Sequence, residues 1–188
     1  VTIDHLAQFK DIFITEEVEL GEEELWEILE KGLLEAIENL EEMRAREGAV
    51  LAKDITDRLG EVSAAIKEIK ERIPTASEDY RNRIKGKLSA LADQSGLDPY
   101  RLEQEVLYWV ERADATEEIT RQESHLSEFL RLLEEREPVG RRLDFLLQEM
   151  NREINTAGSK LADLLISQKV IAVKSELEKI RQQIQNIE

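Results

Sequence analysis

A stripe of carboxylates and one imidazole runs through the middle of the chain. Asp114, Glu118, Arg121 and His125 are spaced four, three and four residues apart, so on a helix they share one face, with Glu117 and Ser124 alongside. Carboxylate oxygens suit Mg²⁺ or Mn²⁺, and an imidazole nitrogen widens the choice of divalent metal. Asp114, Glu118 and His125 are therefore candidate metal ligands. Glu118, His125 and Glu117 are the candidate catalytic groups, His125 because an unperturbed imidazole titrates near neutrality. The same spacing also describes an ordinary solvated helix face, in which Glu118 pairs with Arg121 or Gln122.

A second stripe lies in the segment from Gly140 to Lys160. One face is apolar, with Leu143, Leu146 or Leu147, Met150, Ile154 and then Leu161. Another carries Asp144, Gln148, Asn151 or Arg152, Asn155 and Ser159. A helix face selected only for solubility would carry Glu and Lys. Amides and arginine instead offer directed donors for phosphate, ribose hydroxyl or base edges. Arg121, Arg141, Arg142, Gln148, Asn151, Arg152, Asn155, Ser159 and Lys160 are the candidate contacts of such a recognition surface, and the competing reading is a polar network between helices at a subunit junction. A third candidate is Arg44, Glu47 and Gly48, where charge and a glycine interrupt an apolar line. That pattern fits either a buried Arg44 to Glu47 ion pair or a second polar site with a close backbone approach.

Composition narrows what these stripes can serve. The 188 residues include 42 acidic and 26 basic side chains, a formal charge of −16, and no cysteine. Disulfides, thiolate catalysis and cysteine-based zinc sites are excluded, and a generally basic polyanion-binding surface is disfavoured. The charge is unevenly placed, since residues 138–188 hold eight basic and seven acidic side chains. That part can face a polyanion without general repulsion. No apolar run approaches the ~20 residues that span a bilayer, so the sequence predicts a soluble, cytoplasmic chain with no membrane partner.

The elements that must position these residues are helical. Glycine and proline are scarce and Glu, Leu, Ile, Lys and Arg abundant, which is the composition of long amphipathic helices. The first 20 residues allow a helical turn near Asp4 to Phe9 followed by a short extended piece. From about Glu22 to Arg72 there is no strong breaker, and Ile55, Leu59, Val62, Ile66, Ile69 and Ile73 form a coiled-coil-like seam. Pro74 predicts a turn, with Tyr80, Ile84, Leu88 and Leu91 returning antiparallel against the seam. Beyond Pro99, helices are expected to about Arg136, from Pro138 to about Ile166, and on to about Ile187, the last with Val170, Val173, Leu177, Ile180 and Ile184 inward. The fold expected is all-α, a long antiparallel hairpin (1–97) followed by a C-terminal helical bundle (98–188), in an oligomer.

Four blocks carry a resemblance to a known family. They are Arg44-Ala45-Arg46-Glu47-Gly48 with Asp54 following; Ala113-Asp114-Ala115-Thr116-Glu117-Glu118 running to Ser124-His125-Leu126; Gly140 to Lys160, containing Gln148-Glu149-Met150-Asn151-Arg152-Glu153-Ile154-Asn155-Thr156; and the ending Gln185-Asn186-Ile187-Glu188. With them the chain resembles the C-terminal two-thirds of the YicC/YloC bacterial endoribonucleases, an N-terminal α/β portion being absent. Residues 1–97 then correspond to the end of that family's N-terminal domain. The sequence departs from the family pattern at Gln122, where a leucine is expected, and at Arg181-Gln182-Gln183, where Arg-Glu-Gln is expected.

The resemblance implies cleavage of single-stranded RNA in RNA turnover, dependence on Mn²⁺ or Mg²⁺, and assembly as a hexamer, with other RNA-decay proteins as further partners. Two other readings stay open on the residues alone. One is a helical scaffold or oligomerisation module whose catalytic surface lies in the missing N-terminal portion. The other is an RNA-binding adaptor that does not cleave.

Overall fold

The structure, a computed structural model, describes residues 2–6, 21–95, 98–135 and 138–185. All regular structure among them is helical: α1 (Ile3–Leu6), α2 (Glu22–Ser95), α3 (Pro99–Arg112), α4 (Thr116–Leu133), α5 (Gly140–Lys160) and α6 (Leu164–Ile184). The chain divides into two compact units, Val1–Arg46 and Glu47–Glu188. The extended piece expected before residue 20 lies outside the described residues.

In the second unit the heptad seam behaves as its spacing requires. Ile55, Leu59, Val62, Ile66, Ile69, Ile73 and Ala76 are buried in one core with α4, α5 and α6. Each large aliphatic side chain so buried contributes about 1.5–3 kcal/mol relative to exposure. The seam's partner differs from the one expected. Pro74 lies inside α2 and does not turn the chain. The ring removes one backbone hydrogen bond and crowds the carbonyl of Lys70, at a cost of about 3 kcal/mol in a helix interior. Here both residues face solvent, while Ile73 and Ala76, on either side of the proline, are held in the core.

The helix that answers the seam is α6, running antiparallel to it. Arg58 pairs with Glu176 at 2.9 Å, Lys169 with Glu68 at 2.6 Å and Arg72 with Asp163 at 3.0 Å, while Gln183 donates to Asp54. The Asp54 carboxyl is held below its ordinary range by the Gln183 amide and then by Arg58. α4 packs on α5 and α5 on α6.

Aspartates set two helix boundaries: the helix expected from Pro99 to about Arg136 is broken at Asp114, and the junction of the last two helices, expected at about Ile166, falls at Asp163. Between α3 and α4, Asp114 Oδ1 accepts from the Thr116 backbone N–H at 2.9 Å and from its hydroxyl at 2.6 Å. Between α5 and α6, Asp163 caps the new helix by accepting from Ile166 N–H at 3.0 Å. Short polar side chains compete for the backbone in this way, which makes them helix starts as readily as helix interior. α3 begins as read from the sequence, with Asp98 as cap and Pro99 in the first turn.

In the first unit, every described residue of α2 is exposed. Leu25, Trp26, Leu29, Leu33, Ile37, Leu40 and Met43 fall on one face of this acidic helix.

Two measurements test this packing. A Cβ added at Gly158 would meet the Val170 side chain at 3.0 Å, so Gly158→Leu is expected to cost about 1–3 kcal/mol in chemical unfolding. Combined with Val170→Ala, the double variant should be less destabilised than the sum of the single ones. The Asp163 carboxyl is held below its ordinary range by the Ile166 N–H and then by Arg72. Asp163→Ala is expected to cost about 1–2 kcal/mol near neutrality. Because the folded-state value is depressed, that contribution is complete above the unfolded value. The gap between parent and variant should therefore close as the pH falls below about 4.

Candidate metal and RNA site between α4 and α5

α4 and α5 run antiparallel, and a line of polar side chains crosses the apolar contact between them. At one end Lys160 reaches Glu118 at 2.7 Å and donates to the Asp114 carbonyl at 2.9 Å. Next, Arg121 contacts Glu153 at 3.4 Å and also pairs with Glu117. Gln122 donates from Nε2 to the Met150 carbonyl at 2.7 Å. At the far end His125, Glu149 and Glu153 bring one ligand atom each to within 4.8 Å of one another.

Burial gives this line its electrostatic weight. Glu118 is 7 % exposed, Glu153 5 % and Gln122 0 %, and ionised or amide groups are seldom held so deeply without partners. Two acceptors, Glu118 Oε2 and Gln122 Oε1, are buried and meet no donor among the described residues. The Arg121 guanidinium is held more firmly protonated by its hydrogen bond to Glu153 and by the Glu117 charge.

The structure thus joins some of the sequence-selected residues and separates others. His125 meets Glu149 and Glu153 and forms with them the three-ligand group found among the described residues. The Asp114 carboxylate is engaged by Thr116 at the start of α4, and Glu118 is paired with Lys160. Glu117 is exposed beside Arg121.

On α5, the face read as apolar is the core, and Gln148, Arg152, Asn155 and Ser159 are exposed. Asn151 is half-buried and Arg141 exposed in the first turn. Arg142 pairs with Glu135 at 2.6 Å and Gln148 donates to Asp144 at 2.8 Å. Ser159 bonds the Thr156 carbonyl at 2.9 Å, and Arg152 lies 3.8 Å from Glu149. Arg44, Glu47 and Gly48 are each exposed on α2, and nothing lies within 4 Å of a Cβ placed at Gly48. Arg44 and Glu47 are thus on the surface rather than buried, and Gly48 meets no close neighbour among the described residues.

The sequence reading passed over Glu149 and Glu153. A signal was present: Leu146, Met150, Glu153 and Ala157 step by four, three and four, placing a glutamate at a core position. A buried carboxylate at such a position requires a partner, and here Arg121 and His125 face it.

The family profile described as "Endoribonuclease YicC-like, C-terminal" matches residues 69–188, and that described as "Endoribonuclease YicC-like, N-terminal region" matches residues 1–53. A protein of Clostridioides difficile (strain 630) named "Probable endoribonuclease YicC" is 43% identical over all of this chain, which spans 64% of that relative. One of the same name from Haemophilus influenzae (strain ATCC 51907 / DSM 11121 / KW20 / Rd) is 37% identical over 78% of this chain and 50% of its own length. The chain thus spans about half to two-thirds of the curated relatives it matches. It belongs to the endoribonuclease YicC-like family.

Proposed function

We propose that the chain is part of an endoribonuclease that cleaves single-stranded RNA with the help of a divalent cation held by His125, Glu149 and Glu153. The observation that carries this reading is the convergence of one imidazole and two carboxylates from facing helices. The group fits a cation by its donor chemistry, mixed nitrogen and oxygen ligands suiting Mn²⁺ and carboxylates also suiting Mg²⁺. Such a cation supplies charge neutralisation at a phosphodiester and lowers the pKa of a bound water or hydroxyl.

The chain's own residues have separable tasks. Glu149 and Glu153 lie one turn apart on α5, and His125 opposes them from α4. Arg121 shares Glu153 with that group and is half-exposed, so its guanidinium can turn from Glu153 to a substrate phosphate. Arg152, exposed beside Glu149, and Arg141 in the first turn of α5 extend the positive face. Gln148, Asn151, Asn155 and Ser159 border it on the same helix and line the strand's path. Glu118, held by Lys160, stays a candidate acid–base group on the same line, with Glu117 beside it. Asp114 positions the start of α4 and, through its carbonyl, Lys160.

The exposed apolar stripe of α2 in the first unit supports the accompanying expectation of a multi-chain assembly, the hexamer that the family resemblance implies. The scaffold reading shares that observation, so activity must separate the two.

Titration calorimetry with Mn²⁺ is expected to show binding to the parent, weakened at least about tenfold in His125→Ala and Glu153→Gln. Cleavage of a single-stranded RNA should require Mn²⁺ or Mg²⁺ and stop in EDTA. Undiminished cleavage in EDTA would overturn the metal role, and metal binding without cleavage would favour the scaffold or adaptor. For Glu118, the expected result is that Glu118→Gln abolishes cleavage with helical content and assembly unchanged, whereas Lys160→Met retains measurable turnover. Equal losses in both variants would reduce Glu118 to half of a structural ion pair.

A further inference from the structure

Within the first unit, the exposed apolar residues of α2 follow a stricter order than one shared face. Trp26, Leu29, Leu33, Ala36, Leu40 and Met43 recur at steps of three, four, three, four and three, which is a heptad seam. The five large side chains among them are each between 51 % and 64 % exposed. Glu22 and Glu47 take the next seam positions at either end, so the apolar run stops there.

Charge is placed around that seam rather than across it. The segment is acidic overall, but Glu24, Glu27, Glu35, Glu38, Glu41 and Glu42 fall on the outer side of the helix. Of the eight positions that flank the seam between residues 23 and 46, Glu23 and Glu30 are acidic, Arg44 and Arg46 are basic, and the other four are uncharged. Flanking positions set the choice and direction of a coiled-coil partner. The flank that holds Glu23, Glu30, Ile37 and Arg44 is acidic at its start and basic at its end, so it complements its own reversed copy.

We infer that residues 22–46 pair antiparallel with the same segment of a second copy of this chain, Trp26 meeting the partner's Met43, Leu29 the partner's Leu40 and Leu33 the partner's Ala36. Every seam position then has an apolar neighbour, and the small Ala36 receives the larger leucine, as close packing requires. Glu23 of each copy lies against the partner's Arg44. A parallel pair would set Ala36 on Ala36 and Trp26 on Trp26, leaving a gap in one layer and a crowd in another. It would also keep Glu23 and Arg44 about 30 Å apart along the axis. A basic partner of another kind would be drawn to the outer glutamates, which the seam turns away from whatever packs on it. This inference rests on the reading of the stripe as an assembly surface and adds the partner, its direction and its register; the nuclease reading does not depend on it.

The chain contains no cysteine, so introduced thiols report on this contact alone. Under mild oxidation, a mixture of Leu29→Cys and Leu40→Cys chains should form disulfide-linked dimers, while neither variant should do so by itself. In sedimentation of the full chain, Leu33→Glu should weaken association at least about thirtyfold, with helical content and the unfolding midpoint of the second unit unchanged. Arg44→Glu should weaken it roughly tenfold, and Glu23→Arg combined with Arg44→Glu should restore it. Residues 23 and 44 lie too far apart on one helix for that rescue to arise within a single chain.

Leu29→Cys chains that link to themselves would show a parallel pair and overturn the inference, as would a charge reversal that is not rescued. If the parent associates and Leu33→Glu associates equally well, the antiparallel pair falls and the assembly expectation stands on another surface. A parent that is monomeric at the highest soluble concentration overturns both. If such a monomer covers its seam only when the part of the Clostridioides difficile relative that this chain does not span is added, the occupant is that part and the second copy is excluded.

Discussion

Burial of the α2 stripe from Ile55 to Ala76 against α4, α5 and α6 is the constraint on which the second unit depends. Each of these helices has one apolar face, and an isolated amphipathic helix gains little stability from its own hydrogen bonds. Packing the four faces together supplies the apolar core, and the ion pairs to α6 at Arg58, Glu68 and Arg72 fix which turn of one helix meets which turn of the other. Those pairs are partly exposed and individually worth little. Their value is in register. The same burial keeps α2 helical through Pro74, because breaking there would withdraw Ile73 and Ala76 from the core.

Against that apolar background the line from Lys160 to His125 is costly. Replacing Glu118 and Gln122 by leucine-like side chains would give a drier contact and remove two unsatisfied acceptors at once. Carboxylates, an amide and an imidazole placed between two core helices at that cost are groups whose charge invites a functional reading. The polar line also lies beside the exposed arginine and amide face of α5, so both belong to one helix pair. Helix-mounted groups are held with little freedom, which suits a site that must place a phosphate accurately.

A chain of net charge −16 can bind a polyanion only where cations are locally concentrated. The Arg81 to Lys87 run and the α5 arginines are two such places, on different helices.

Periodicity alone determined the all-α class, the core positions of α2, α5 and α6, and the polar face of α5, because a 3.6-residue repeat reports directly on which side of a helix meets the core. Local chemistry also marked Asp98 and Pro99 as a helix start. It misread Pro74 as a turn and Asp114 as helix interior, and it placed the last helix junction at about Ile166 rather than at Asp163. Whether proline or aspartate breaks a helix depends on how much burial lies on either side, and that is a tertiary quantity. The stripe at Asp114, Glu118, Arg121 and His125 was visible as spacing, but which carboxylates would meet His125 was not. That was decided by the antiparallel register of α4 on α5, which sets Glu149 and Glu153 opposite the imidazole and leaves Asp114 bonded to Thr116 and Glu118 with Lys160.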